Sequence, residues 1–410
     1  MTQQNVVHQL LPTSTSVDIE SALRQISTGE LALPFAEDRM EFIATVAQRL
    51  RRSTPGRPEL QALAFWMRKT ALTKMAETFA ENQQESIVAV PRGTIFHIPP
   101  ANVDTMFAYS WVLSILAGNR NLVRISHRAI DQSAYVLKAF EETLAEYPEV
   151  AAGTSVFTYG HDVRITREIT KAADVRVVWG GDNTVNQMRA IPPEPHGRDI
   201  SFPDRISMAA IDIESYNNLT DSGRDTLAEN FFNDAYWFDQ LGCSSPRIVM
   251  WVGSSPHQVC SADFFSRVSN VANLKGYSPT TSAAISKITY SMQAAIDNDI
   301  RVHTLHGNTL AVLELGSFGD FRGEFCGAGM FYQIALPSIL HLSPHVKRAD
   351  QTLTVFGIQR EDLEGFVKET RGRGIDRIVP IGQALDFDHI WDGMDLLQEF
   401  TRKIAIRVKD

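Results

Sequence analysis

The 410-residue sequence contains little cysteine, with only Cys243, Cys260 and Cys326. An odd and sparse set of this kind does not form a disulfide framework. None of the three belongs to a Cys-x-x-Cys pair, which argues against a structural zinc site. We therefore expect a protein of the reducing cytoplasm that needs no metal.

Long apolar runs and an excess of basic residues are also missing. No uncharged apolar stretch approaches the roughly 20 residues that a membrane-spanning helix needs. The first 15 residues lack the apolar segment of a signal peptide. Lys and Arg number 39 against 48 Asp and Glu, for a formal net charge of −9. Because nucleic-acid binding needs clustered cations, we expect neither a nucleic-acid partner nor a membrane span.

The remaining composition is that of a globular protein, and its hydrophobic periodicity indicates an α/β fold. Helical spacing predicts helices over 17–26, 36–51, 58–81, 104–116, 132–146, 163–173, 221–238, 262–272, 282–298 and 361–370. Short apolar runs predict strands over 86–90, 93–98, 121–125, 155–159, 175–179, 207–213, 247–252, 309–315, 331–336, 352–356, 377–381 and 404–408. Strands that alternate with helices favour parallel, doubly wound sheets.

Cys243 is the first candidate for chemistry. It follows Gly242 on a predicted turn between a helix and a strand that begins with Pro246. Glycine allows a close approach of backbone or substrate. A thiolate attacks carbonyl carbons and forms a thioester. The alternative is a buried structural cysteine, and the local sequence leaves both interpretations open.

Asn102 follows the strand over 93–98 and a pair of prolines, and it opens a predicted helix. Its side chain is suited to capping that helix. The same amide is also suited to donating to a developing oxyanion. His97, within the strand, is expected to be packed in the core rather than to bind a ligand.

Two other strand ends carry polar or glycine residues. Arg124, Ser126 and His127 end one strand, where a cofactor meets the carboxyl edge of a parallel sheet. Gly180 and Gly181 lie between a strand and a helix, as in phosphate-binding turns. An ordinary polar strand end and an ordinary turn are the alternatives.

In this order and at these intervals, the four segments resemble the aldehyde dehydrogenase superfamily. The stretch over 93–126 is similar to its Pro-x-Asn turn, its helix ending in Ala-Gly-Asn and its ribose-binding strand. Residues 231–247 are similar to its nucleophile region. Residues 324–327 are similar to its Glu-x-Phe-Gly segment, whose glutamate, here Glu324, contacts the nicotinamide ribose. The resemblance implies two doubly wound Rossmann-like domains with a small oligomerisation strand or hairpin.

Finer features resemble the LuxC-type acyl-CoA reductases, the fatty-acid reductases of bacterial bioluminescence. These features are residues 241–246, 198–202, Gln351-Thr352 and the tail over 377–402. The resemblance implies that Cys243 is acylated by a medium- to long-chain acyl-CoA, that coenzyme A leaves, and that Asn102 holds the oxyanion. It also implies a cytoplasmic homo-oligomer with an acyl-protein synthetase or acyltransferase as partner.

Two departures from the superfamily pattern refine this expectation. Aldehyde-oxidising members have a Glu-Leu-Gly-Gly segment whose glutamate activates the hydrolytic water, and Arg198–Pro203 stands there instead. Without that base we expect the acyl-enzyme to await reduction, although Asp199 offers a substitute carboxylate. The pattern Lys-Pro-Ser-Glu appears as residues 124–127 and ends in His127. Losing the glutamate removes repulsion of a 2′-phosphate, so we expect NADPH as cofactor.

We expect a tail over 1–16, a cofactor-binding domain over 17–213, a catalytic domain over 214–390 and a bridging segment over 391–410. The aromatic residues of the helix over 221–238 suggest either core or an acyl tunnel. Three alternative functions remain: a γ-glutamyl-phosphate-like semialdehyde reductase, a non-reducing acyl carrier or transferase that uses Cys243, and an inactive scaffold. The Trp-Asp-Gly signature at 391–393 weighs against the first, and the joint presence of Cys243, Asn102 and Glu324 against the last.

Overall fold

A computed structural model describes residues 5–100, 106–319, 321–323 and 325–408. The strands are β1 Val6–Leu11, β2 Thr15–Asp18, β3 Ile87–Pro91, β4 Thr94–Ile98, β5 Arg120–Arg124, β6 Thr154–Thr158, β7 Val175–Trp179, β8 Arg198–Phe202, β9 Ile206–Asp212, β10 Pro246–Val252, β11 Ile300–His306, β12 Leu310–Leu315, β13 Met330–Leu336, β14 Asp350–Phe356, β15 Arg377–Pro380, β16 Ile390–Trp391, β17 Met394–Asp395 and β18 Thr401–Ala405. The helices are α1 Ile19–Ser27, α2 Glu37–Ser53, α3 Pro58–Trp66, α4 Lys69–Glu81, α5 Met106–Leu116, α6 Ile130–Leu144, α7 Pro148–Ala152, α8 Val163–Ala172, α9 Asp182–Arg189, α10 Ile213–Asn217, α11 Asp221–Tyr236, α12 Gln258–Leu274, α13 Thr281–Asp297, α14 Arg360–Thr370 and α15 Leu396–Glu399.

The chain forms two compact units. Residues 1–203 and 387–410 make the first, and residues 204–386 make the second. These bounds differ from the expected boundary after residue 213, because β9 pairs in parallel with β10 and β14 in the second sheet. The C-terminal segment is part of the first unit, where β18 pairs antiparallel with β3.

The sheet of the first unit has the order β2–β1–β6–β5–β4–β7–β8. Five strands, in the sheet order β6–β5–β4–β7–β8, run parallel to one another. Strands β1 and β2 are added at one edge by antiparallel pairing. Successive strands proceed from β4 to β6 on one side and then cross to β7 on the other. The strand order therefore reverses between β4 and β7, which is where ligands bind in doubly wound sheets.

The N-terminal residues differ from the loose tail that their composition suggests. Val7 and Leu11 of β1 are buried, and β1 pairs with β6. Gln9, also buried, accepts a hydrogen bond from Ser155 Oγ at 3.0 Å. The polar side chain thus lies inside because it has a partner, which composition alone does not indicate.

The predicted helix over 58–81 is two helices, α3 and α4. Arg68 leaves the helical region with a ψ of 149°. On a continuous helix, Leu72 would point about 140° away from Met67. The break lets both side chains be buried, although neither glycine nor proline marks the position.

The second unit is also a doubly wound sheet, in the order β11–β12–β13–β10–β9–β14–β15. Only the β11–β12 pair is antiparallel among the described pairings of this sheet. Apolar clusters cover both faces. Phe231, Phe232 and Tyr236 of α11 belong to one of these clusters, so they are core residues. Among the described residues, none of the helices combines the length and the apolar character that a membrane span requires.

Candidate active site

Cys243 lies on the turn between α11 and β10, at the amino end of the second sheet. Asp239 and Gln240 have φ values of 50° and 62°, which turn the chain away from the helix before Gly242. The Cys243 residue is half-buried. Cys260 instead fits the structural interpretation, because it is buried and its thiol donates to Asn217 Oδ1 at 3.0 Å.

The buried side chain of Gln240 fixes this turn. Its Nε2 donates to the carbonyl oxygens of Pro246 and Met330, at 3.0 and 2.8 Å. Its Oε1 accepts from the backbone N–H of Gly329 at 3.0 Å. Three bonds satisfy most of the amide and join the cysteine turn to the start of β13. Sequence reasoning missed Gln240, since nothing distinguishes it from a surface glutamine.

Residues at the amino ends of β9 and β14 contact Cys243 directly. Gln351 Nε2 donates to Cys243 Sγ at 3.6 Å, and its Oε1 accepts from Ser244 Oγ at 3.0 Å. Ser207 Oγ donates to the Cys243 carbonyl at 2.7 Å and accepts from Thr352 N at 3.2 Å. Both the backbone and the sulfur of the cysteine are therefore held by neighbouring strands.

Arg247 on β10 supplies positive charge near the thiol. Its guanidinium interacts electrostatically with Cys243 and Asp204, and burial lowers its pKa from the ordinary value. It also lies over the Phe325 ring, 4.4 Å from the centroid. A neighbouring cation favours the thiolate form of a cysteine, which is its nucleophilic form.

The segment over 325–329 packs on the cysteine turn. Ala328 N donates to Asp239 O at 2.8 Å. Gly327 has a φ of +68°, and a Cβ there would lie 2.2 Å from the same carbonyl oxygen. Only glycine allows this approach. Glu324, the expected ribose contact, lies outside the described residues.

Arg124, Ser126 and His127 come together at the carboxyl end of β5 in the first unit. Arg124 Nη2 donates to the carbonyls of Tyr159 and Gly160 at 3.5 Å, and its guanidinium lies 4.9 Å from the Tyr159 ring centroid. Arg124 Nε and Ser126 Oγ are buried without a hydrogen-bond partner among the described residues. Buried polar atoms of this kind indicate a missing partner.

His127 and the Tyr159-Gly160 segment also line an open groove of about 790 Å³. The other lining residues are Val6, His8, Thr158, His161, Asp162, Val163, Arg164 and Ile165. The basic side chains of His8, His127, His161 and Arg164 and the size of the open groove fit the ribose and phosphates of a dinucleotide.

Gly180 and Gly181 follow β7, beside the reversal of strand order. Gly181 immediately precedes α9, and a Cβ on Gly180 would meet Thr184 at 3.1 Å. The strand–turn–helix arrangement that the sequence predicts is therefore present. The first helical residue is the acidic Asp182. Asn102, which follows β4 in sequence, lies outside the described residues.

Asp199, the alternative base, is engaged in an ion pair. Arg176 Nε and Nη2 donate to its two carboxylate oxygens at 2.9 and 2.6 Å. His97 is buried between Ser110 and Asn121, and burial lowers its pKa to about 4, so it packs in the core as predicted. In the portion that the structure describes, no three His, Cys, Asp or Glu side chains are placed to hold a metal ion.

Comparison with solved structures identifies the fold. Aldehyde dehydrogenase 21 from Physcomitrella patens, solved with succinate, superposes with a TM-score of 0.70 over 94% of this chain and 89% of its own, at 12% identity. A 1-pyrroline-5-carboxylate dehydrogenase from Thermus with bound NAD gives a TM-score of 0.63 over 99% and 90%, at 14% identity. The chain has the aldehyde dehydrogenase-like α/β fold that the sequence implied.

Sequence comparison identifies the branch. The long-chain acyl-protein thioester reductase 2 of Photobacterium leiognathi is 26% identical over 171 residues, which are 41% of this chain and 34% of the relative. The corresponding reductase of Aliivibrio fischeri is 24% identical over the same shares. The match thus spans about a third of these relatives. A profile of the acyl-CoA reductase (LuxC) family, however, matches residues 43–403. The chain belongs to the acyl-CoA reductase (LuxC) family.

Proposed function

We propose that this protein reduces an acyl thioester to an aldehyde through an acyl group carried on Cys243. The observation that supports this most directly is the half-buried Cys243 thiol, to which the Gln351 amide donates and with which the Arg247 guanidinium interacts electrostatically. Membership of the acyl-CoA reductase family and the thioester reductase names of the relatives agree with it.

The thiolate of Cys243 attacks the carbonyl carbon of the substrate thioester. A new C–S bond forms, the oxyanion collapses, and the original thiol leaves with its electron pair and takes a proton. By the resemblance, the Asn102 side chain and the backbone N–H of Cys243 hold the oxyanion. The acyl group is then a thioester of the enzyme.

A nicotinamide cofactor, when bound, supplies the hydride for the second half of the reaction. The groove at the carboxyl ends of β5 and β6 would hold it, with His127 in its lining and Arg124 and Ser126 at the adjoining end of β5. His127, in place of a carboxylate, tolerates a 2′-phosphate, and so we propose NADPH. Glu324, Gly180 and Gly181 complete the proposed cofactor site.

The chain's own residues favour reduction over hydrolysis. Activation of water needs a base, and the family segment that supplies it is replaced by Arg198–Pro203. Asp199 is bound by Arg176 through two hydrogen bonds, so its oxygens are directed at the guanidinium. The acyl group then stays on Cys243 until it is reduced. It leaves as the aldehyde, and Cys243 is restored as a thiolate.

A medium- to long-chain acyl-CoA is the proposed substrate, with coenzyme A as leaving group. The relatives are named for acyl-protein substrates, so an acyl carried on a partner synthetase or acyltransferase presents the same thioester chemistry. We place the protein in the cytoplasm, as a homo-oligomer.

Intact-protein mass spectrometry after exposure to acyl-CoAs tests the proposal. We expect a mass increase of one acyl group on the wild-type protein, its absence from Cys243→Ala, and its loss with aldehyde formation when NADPH is added. Cys260→Ala is the matched control and should retain the adduct. An adduct that NADPH does not discharge would instead indicate a non-reducing acyl carrier. No adduct from any thioester would refute the proposal.

A further inference from the structure

We propose that Gln351 is a catalytic residue: its side-chain amide donates to the Cys243 sulfur and favours the thiolate over the thiol. The inference rests on the proposed function of Cys243 and concerns a residue 108 positions away in sequence.

Both ends of the Gln351 amide have partners. Gln351 Oε1 accepts from Ser244 Oγ at 3.0 Å and lies 3.5 Å from Thr352 Oγ1. In this orientation the NH₂ group faces Cys243 Sγ, 3.6 Å away, and donates to it. Gln351 is 2% exposed, so water has little access to replace the sulfur as acceptor.

The backbone of the cysteine is held from the same strand. Ser207 Oγ links the Cys243 carbonyl to the backbone N–H of Thr352, which is adjacent to Gln351. The amino end of β14 therefore contacts the cysteine twice: Gln351 donates to its sulfur, and Thr352 is linked to its carbonyl through Ser207. This pre-organisation means that the donor need not be recruited when the thiol ionises.

Donation to a charged group stabilises the charged form, and bonds to ionised acceptors are about twice as strong as neutral ones. A thioester sulfur is a weak acceptor, so the hydrogen bond from Gln351 to the sulfur should weaken once Cys243 is acylated. It should return when the C–S bond breaks and the sulfur takes the electron pair as the aldehyde leaves. Acylation and aldehyde release should depend on Gln351, and hydride transfer should not.

The test measures the rate at which iodoacetamide alkylates Cys243 as a function of pH, with peptide mass spectrometry separating Cys243 from the other thiols. Gln351→Met removes the donor at similar size, and Gln351→Glu replaces it with a negative charge. We expect the half-maximal pH to rise by about one unit in Gln351→Met and further in Gln351→Glu. Gln333→Met, which alters a buried glutamine on β13 without a described contact to Cys243, is the matched control and should leave the profile unchanged.

Coinciding profiles of wild type and Gln351→Met, with circular dichroism showing both folded, would overturn the inference. Should Gln351→Met fail to fold, Gln351→Asn keeps the amide but shortens its reach, and the same upward shift is expected. Below the wild-type half-maximal pH, the single-turnover acylation rate should fall several-fold in Gln351→Met, because the fraction of thiolate falls about tenfold. A wild-type Cys243 that takes no acyl group would refute the proposed function, whereas the alkylation profiles would still decide the role of Gln351.

Discussion

Arg176 on β7 forms a two-bond ion pair with Asp199 on the adjacent strand β8. The guanidinium is 1% exposed and also donates to Thr170 Oγ1 and the Ile191 carbonyl. The pair lies between parallel strands, where removal of the carboxylate leaves a buried charge without its counter-ion. We therefore expect Asp199 to have a structural role in the first unit rather than that of a general base.

We expect Asp199→Asn to lower the free energy of unfolding by about 3–5 kcal/mol, the usual cost of breaking a buried ion pair. Urea denaturation measures this change. The decay of the acyl group on Cys243 without cofactor, followed by mass spectrometry, should be the same in variant and wild type. A tenfold slower decay in a folded Asp199→Asn protein would restore Asp199 as the base for water.

The cofactor preference should respond to the residue at position 127. We expect His127→Glu to shift the ratio of kcat/KM for NADPH over NADH toward NADH by about tenfold, equivalent to ~1.4 kcal/mol. The reason is that a carboxylate repels the 2′-phosphate and accepts from a 2′-hydroxyl. His127→Gln, which adds no charge, is the control and should change the ratio less. A wild-type preference for NADH would contradict the assignment.

The fold and the strand ends that carry the candidate site residues could be predicted from the sequence. The strands that could not be predicted have residues whose pattern does not indicate a buried strand. The alternation of strands and helices from β4 to β7 could be predicted because each of these buried parallel strands contains adjacent apolar residues, which face both sides of the sheet. Strands β1 and β11 were missed, since β11 is an edge strand with mostly exposed side chains and β1 includes a buried glutamine.

The contacts of the nucleophile were not predictable in the same way. In the sequence, Gln351 is distinctive only as part of the Gln351-Thr352 pair that resembles the LuxC-type reductases. Its contact with Cys243 depends on β9 lying between β10 and β14, an order that results from a crossover. Doubly wound sheets are expected to bind ligands at their carboxyl ends. Cys243, by contrast, precedes β10 at the amino end of its sheet.

Asp234 on α11 should make stability depend on pH near neutrality. Its carboxylate accepts from the backbone N–H groups of Gly382 and Ala384 at 2.7 and 2.9 Å, and burial raises its pKa from 3.8 to about 7. Between about pH 4 and pH 7 the folded state therefore holds a proton that the unfolded state has lost. The contribution of Asp234 to stability falls as pH rises through this window and is constant above it.

Urea unfolding of wild type and Asp234→Asn from pH 5 to pH 8 measures this dependence. The wild-type free energy of unfolding should fall more steeply with pH than that of the variant up to about pH 7. Asp131→Asn, at an exposed position of α6, should follow the wild-type slope. Equal slopes for wild type and Asp234→Asn would show that Asp234 does not titrate in this range.

The strand near the C-terminus should mediate self-association. In the β18–β3 pair, Ile404 lies opposite Val88, and the two side chains are 44% and 43% exposed. An isolated pair of strands is marginally stable in water, and its apolar side chains and edges are suited to pairing with a second subunit. We expect light scattering at micromolar concentration to show a homodimer or homotetramer. Ile404→Lys should shift the association equilibrium toward the monomer. Val302→Lys, on the edge strand β11, should leave the equilibrium unchanged. A monomeric wild-type protein would contradict this prediction.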